Sequence, residues 1–195
     1  MAFDATAFRN QLAYGGARPN LYEVHVTFPS EDVSVSEKFT FMCRSASLPG
    51  MMVGTATLPY FGRTIKLVGD RQFDDWNVQI INDEDFKVRN AFEAWQNKMD
   101  LLDHGTDAKE SMCENNQSVN KYYAEIEVVQ LTKDGGKCGH GDGTAKKYIL
   151  KNAWPNQIGP IELAWDANDQ IEQFMVNFTY DYFITDKIEG FTADI

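Results

Sequence analysis

Period-two alternation of apolar and polar residues runs through most of the chain, and it predicts a protein built mainly of β-strands. Tyr22, Val24, Val26 and Phe28 share one parity, with Glu23, His25 and Thr27 between them. The polar run PSEDVSVSE (29–37) then reads as a hairpin tip, and Phe39, Phe41 and Cys43 as the apolar face of a returning strand. A second pair of strands is expected over 62–68 and 73–81, broken at Gly69, with Trp76, Val78 and Ile80 on one side. Tyr122, Ala124, Ile126 and Val128 alternate in a strand over 121–131, and another is expected at 146–151. The clearest alternation comes last, where Phe174, Val176, Phe178, Tyr180 and Tyr182 oppose Gln173, Asn177, Thr179 and Asp181. A one-residue slip there would bury the polar row, so the register is firmly set.

Only one segment carries a strong helical period. Val88, Phe92, Trp95 and Met99 recur at helical spacing and predict a helix over about 84–99 with one buried side. Asn82 and Asp83 fit its N-cap, and Glu84 and Asp85 suit the positive end of its dipole. A short N-terminal helix or docking arm is expected within 1–16, where Phe3, Ala7, Phe8 and Leu12 precede Gly15 and Gly16. The segments 100–120 and KDGGKCGHGDGT (133–144) read as loops.

At 195 residues, 43% hydrophobic and 13% aromatic, the chain has the material for a single well-filled domain. Eighteen basic against 29 acidic residues leave a net charge of −11, the wrong sign for a duplex-binding surface. No leader pattern and no run of about 18 apolar residues is present, so neither export nor insertion into a membrane is expected. Three cysteines without a close pair predict no disulfide framework.

Candidate chemistry is sparse. His104, Cys113, Cys138 and His140 lack the paired ligand spacing of structural zinc. The glycine loop does not match a phosphate-binding motif, and Asp166-Ala-Asn168-Asp169 has Ile171 where a calcium loop requires glycine. Asp70, Asp74 and Asp75 are the sharpest candidates for an acid/base pair. The neighbours Asp74 and Asp75 would point to opposite faces of a strand, and no nucleophile or histidine lies close in sequence. No catalytic, cofactor or metal residue is therefore assigned, and no enzyme is expected. What exceeds a plain β-domain is the number of long amphipathic strands set against one strong helix. Such a chain either closes its sheet on itself or completes it with neighbours.

The stretches ARPNLYEV (17–24), FTFMCRSASLPG (39–50), GDRQFDDWNVQIINDED (69–85), FEAWQ (92–96), NAWPNQIG (152–159) and LAWDANDQIEQFMVNFTYDYF (163–183) follow one another across nearly the whole sequence. As an ordered set they resemble the tail tube proteins of contractile-tailed bacteriophages. The resemblance implies a β-sandwich or barrel-like fold with a flanking helix, in one domain over 1–195. Six copies would join strands into a ring, and rings would stack into a hollow tube inside the contractile sheath. Implied partners are further copies of the chain, the tail sheath protein, and baseplate and tail-terminator proteins. Phage DNA would cross the lumen without specific binding, and no cofactor is implied. The protein would reside in the virion tail, and in the host cytoplasm during assembly.

Segments about 29–36, 100–120 and 133–145, and a tail over 185–195, exceed a minimal tube subunit. Within this frame GDRQFDDW (69–76) is an assembly corner: Gly69 turns the chain, Asp70 and Arg71 meet charges on a neighbouring copy, and Trp76 fixes the next strand. Arg18, Asn20, Arg63 and Asp74 complete the expected subunit-interface residues, the arginines because a guanidinium can fix register through two hydrogen bonds. An acidic lumen would repel phosphate. The alternatives are a tube-end or baseplate protein of the same fold and a β-sandwich module binding a carbohydrate or protein ligand.

Overall fold

A computed structural model describes residues 5–12, 16–29, 33–99, 122–133, 135 and 143–185. In chain order these form α1 (Ala5–Gln11), β1 (Tyr22–Val26), α2 (Val33–Met42), β2 (Cys43–Ala46), β3 (Met52–Tyr60), β4 (Arg63–Gln72), β5 (Trp76–Ile81), α3 (Lys87–Met99), β6 (Ala124–Leu131), β7 (Thr144–Ile158), β8 (Gln173–Thr179) and β9 (Tyr182–Thr185). The loop expected over 100–120, the four histidines and cysteines weighed for zinc, and nearly all of the C-terminal tail lie outside the described residues.

The architecture turns on β7, which is 15 residues long and belongs to two sheets. Its first half pairs antiparallel with β6 and β9, and its second half with β8, giving one sheet ordered β1-β6-β7-β9 and another ordered β7-β8-β5-β2. The bend falls at Asn152, whose φ of 56° is left-handed and which Asn tolerates better than most residues. Beyond it Pro155, which has no N–H to donate, is accommodated by a bulge before Gln157.

Alternation places the core as expected. Val24, Val26, Ile126, Val128 and Leu150 from the first sheet face Trp76, Val78, Ile80, Phe174, Val176 and Phe178 from the second, all buried. Each such side chain contributes about 1.5–3 kcal/mol by leaving water. The path of strands ends at β1 and β2, which do not pair with each other, so the barrel stays open on that side. There α2 packs against both edge strands, and α3 packs on α2 and β7. Phe28, Phe39, Phe92 and Trp95 form an aromatic cluster in which Phe28 meets the other three rings edge to face, its centroid 5.0 Å from that of Phe92, while Phe92 and Trp95 stack.

Four expectations need correction. Residues 33–42 form a helix, not a hairpin tip with a returning strand, because the residues that find the core are Val35 and Phe39, four apart, while Phe41 is 83% exposed. Accordingly β1 pairs with β6 and β2 with β5. The break expected at Gly69 does not exist: β4 runs through it and pairs with β3, a strand the alternation of buried and exposed positions does not reveal. Helix α3 begins at Lys87, where Asp85 Oδ1 accepts the Lys87 N–H at 3.2 Å and the Phe86 carbonyl accepts the first intrahelical bond from Asn90. Val88, Phe92 and Trp95 are buried as predicted. Finally, Tyr182 leaves the apolar row after Tyr180, since the chain bends at Asp181 to start β9 against β7.

Candidate assembly surface

The segment Met51–Gln72 lies almost wholly outside the core. Among the described residues, strands β3 and β4 pair only with each other, and every residue from Met51 to Gln72 except Gly54 and Gly69 is exposed. They are joined by Phe61 (φ 44°) and Gly62 (φ 75°), two consecutive left-handed residues that make the tight turn suited to the twist of a two-residue hairpin. The register Ala56↔Leu67, Leu58↔Ile65 and Tyr60↔Arg63 sets these residues on one face. Thr55, Thr57, Pro59, Thr64, Lys66 and Val68 occupy the other. Arg63 apart, the first face is apolar, and its residues stay exposed among the described residues. Phe61, 90% exposed, crowns the tip.

Gly69 acts in this arm by close approach, not by turning the chain as expected. Between Val53/Arg71 and Thr55/Val68 the register shifts, and a Cβ built on Gly69 would lie 2.9 Å from the Gly54 carbonyl. Only a residue without that carbon fits the bulge unchanged.

The structure brings some of the expected interface residues together. Arg63, Asp70 and Arg71 stand on the arm, and Asp74 lies at its root between β4 and β5. None of these four forms an ion pair among the described residues. Arg18 and Asn20 are exposed elsewhere, in the segment leading to β1, where the Arg18 carbonyl accepts from Gln130 at the end of the first sheet remote from the bend. The root itself is tied to the core. Trp76 is buried and donates its Nε1–H to the Ser47 carbonyl at 2.6 Å, while Asp75 accepts from the Thr179 hydroxyl at 2.9 Å. Burial raises the Tyr180 hydroxyl pKa beside this root, and the charges of Asp74 and Asp75 add to the effect.

A second exposed apolar region lies at the other end of the β7-β8-β5-β2 sheet. The pairing Trp76↔Phe178 and Ile81↔Gln173 puts the arm's root at one end of these strands and the β7–β8 connection, residues 159–172, at the opposite end. That connection borders a groove of about 630 Å³ and exposes Leu163, Trp165 and Ile171, with Trp165 wholly in solvent. It carries Glu162, Asp166, Asp169 and Glu172 and no basic residue. The Asp166–Asp169 segment is a turn, in which Asn168 N–H donates to the Asp166 carbonyl at 2.9 Å and Asp169 is left-handed. Sequence reasoning missed both the arm and this groove. The signal for the arm was Phe61-Gly62 flanked by Ala56, Leu58 and Tyr60 before it and Ile65 and Leu67 after it.

The outward faces of the two sheets differ in character. On the first, cations are matched by carboxylates, with Lys147 Nζ 2.7 Å from Glu127. On the second, amides bond across strands: Gln79 to Gln173 at 3.0 Å and Asn177 to Gln157 at 3.2 Å. Among the described residues, neither face presents a row of unpaired cations that would grip phosphate.

Comparison with known proteins gives concordant results. The family described as phage tail tube protein matches residues 17–186. The tail tube protein gp19 of Enterobacteria phage T4 is 29% identical over 167 residues, covering 85% of this chain and 90% of the relative. A tail tube protein of Serratia phage KSP90 is 23% identical over 184 residues, covering 92% and 96%. Among solved structures, a chain of the anti-feeding prophage baseplate superimposes with a TM-score of 0.59 at 8% identity, over 87% of this chain and 94% of that one. A chain of the sheath-tube complex of an extracellular contractile injection system, PVC, in its extended state gives 0.55 at 12%, over 96% and 100%. At these identities the structural likenesses establish a shared fold.

Proposed function

The chain belongs to the phage tail tube protein family, and from that premise we propose that it is the repeating subunit of the inner tube of a contractile tail. Six copies close into a ring, rings stack into a hollow conduit within the sheath, and DNA leaves the virion through the lumen. The role is structural, and the further partners are the sheath, baseplate and terminator proteins that meet the tube's wall and ends. The subunit resides in the virion tail after assembling in the host cytoplasm.

The observation that carries this function is the β3–β4 arm. A two-stranded hairpin alone in water is marginal, and one that holds Leu58, Tyr60, Ile65 and Leu67 on a single uncovered face has an unmet need for a partner. Identical copies supply it. The net charge of −11 and the matched or neutral sheet faces support passage of DNA without adhesion.

Negative-stain microscopy of the purified full chain tests the proposal. Rings and tubes are expected, and Leu58→Asp/Leu67→Asp should leave a folded subunit that does not assemble. A chain that remains monomeric at high concentration, or a variant that assembles as well as the unmodified protein, contradicts it.

A further inference from the structure

The chain leaves the core after Ala46 and returns to it at Trp76, so the arm hangs on two connections, residues 47–51 and 73–75. The first is held by the hydrogen bond from Trp76 to the Ser47 carbonyl. From Gly50 to Asp75 every side chain is exposed except that of Phe73. Its phenyl group packs on the core between Tyr180, at a centroid distance of 5.9 Å, and Phe183, which it meets edge to face at 5.5 Å. Phe183 in turn meets Tyr148 of β7 edge to face at 5.7 Å. Tyr180 and Phe183 flank the passage from β8 to β9, which is fixed by the Asp181 N–H donating to the Lys151 carbonyl. The socket for Phe73 is therefore built where the two sheets meet. Asp75, two residues further on, accepts from Thr179 beside it.

No other side chain of the arm is drawn out of solvent to set its direction. The ten residues of β4 reach about 33 Å, so a tilt of about 10° at the root moves the tip by about 6 Å, more than the spacing of about 4.8 Å between paired strands. Direction at the root thus decides whether the arm meets its place on another copy. We propose that Phe73 is the positioning residue of the arm: its phenyl group, seated between Tyr180 and Phe183, fixes the arm's direction in the free subunit before another copy is met. An arm already aimed loses less free energy to ordering when the contact forms. This inference rests on the tube function proposed above and adds to it the residue that aims the arm.

Three full-length variants test it. Phe73→Ala removes the phenyl group, Phe73→Tyr keeps an aromatic side chain, and Val88→Ala weakens the buried core on α3, which packs on α2 and β7. One readout is the protein concentration at which tubes appear by light scattering. The other is the residual dipolar couplings of the arm's amides, measured in the non-assembling Leu58→Asp/Leu67→Asp background. With Phe73 present, the amides of the arm and of β5 should fit one common alignment. Phe73→Ala should reduce the arm's couplings to less than half while those of β5 persist, and should raise the assembly concentration at least tenfold. Phe73→Tyr should match the unmodified chain in both. Val88→Ala should lower the urea midpoint yet leave both readouts within twofold, which separates lost aim from lost stability. If Phe73→Ala does not fold, Phe73→Leu replaces it, with both readouts expected to move the same way. The positioning role is overturned by unchanged arm couplings or an unaltered assembly concentration in the Phe73 variant, by a tyrosine variant that behaves like alanine, or by Val88→Ala raising the assembly concentration as far. Each of these results leaves the tube function intact. Failure of the unmodified chain to make rings or tubes overturns the function itself.

Discussion

Asn152 donates its side-chain amide to the Asp181 carboxylate at 2.7 Å, and so joins the two places where the chain passes between sheets. Asn152 is the left-handed bend of β7, and Asp181 is the link between β8 and β9, whose own N–H donates to the Lys151 carbonyl. Asn152→Ala loses the hydrogen bond and strains the bend, so it should cost about 1–2 kcal/mol. Asn152→Gly loses the bond but keeps the φ, and should cost less. Urea unfolding of the unassembled subunit measures both, and equal losses would remove the bend from the account.

Helix α2 makes a sharper distinction. Phe39 is fully buried and Phe41 is 83% exposed, although a strand would put both on one face. Phe39→Ala should destabilise the subunit by about 3–5 kcal/mol, and Phe41→Ala by less than about 0.5 kcal/mol. Comparable losses in chemical denaturation would restore the strand.

Lys38 on α2 binds Asp83 at 2.7 Å and Asp85 at 2.6 Å, clamping α2 to the start of α3. Its hydrogen bonds are the main cause that lowers both carboxyl pKa values beneath the ordinary 3.8, and those same bonds raise the lysine above its ordinary 10.5. The carboxylates' contribution is thus present above pH 3.8 and lost as pH falls through their lowered values. The lysine's contribution is complete below pH 10.5 and lost as pH rises through its raised value. Lys38→Met should flatten the stability profile at both limits, as read from urea midpoints against pH. An unchanged profile would mean that the clamp contributes nothing.

Gly69 separates subunit stability from assembly. The arm lies outside the core, so Gly69→Ala should leave the melting temperature of the free subunit nearly unchanged. The added carbon collides with the Gly54 backbone, so assembled tubes should dissociate at lower temperature or denaturant. Light scattering during heating follows this, and tubes of wild-type resistance would show that the bulge is not needed for assembly.

The sequence made legible what faces the core. Val24 and Val26, Trp76 through Ile80, Ala124 through Val128, and Phe174 through Phe178 all lie where alternation put them. What escaped were segments whose environment is not a two-sided sheet. Residues 33–42 alternate by composition, yet they use a helical spacing to reach the aromatic cluster. The arm has an apolar face with no core behind it, so Leu58 and Ile65 offered no contrast between buried and exposed positions. The acidic groove at 159–172 depends on strand order, through the antiparallel pairing of β8 with β5, which local pattern does not encode.

Amide hydrogen exchange over residues 52–72, compared between free subunits and assembled tubes, tests most directly whether β3 and β4 are completed by other copies. The account predicts fast exchange in the free subunit and strong protection along the hairpin after assembly. Protection already present in the free subunit, or an arm still exchanging freely within tubes, would contradict it.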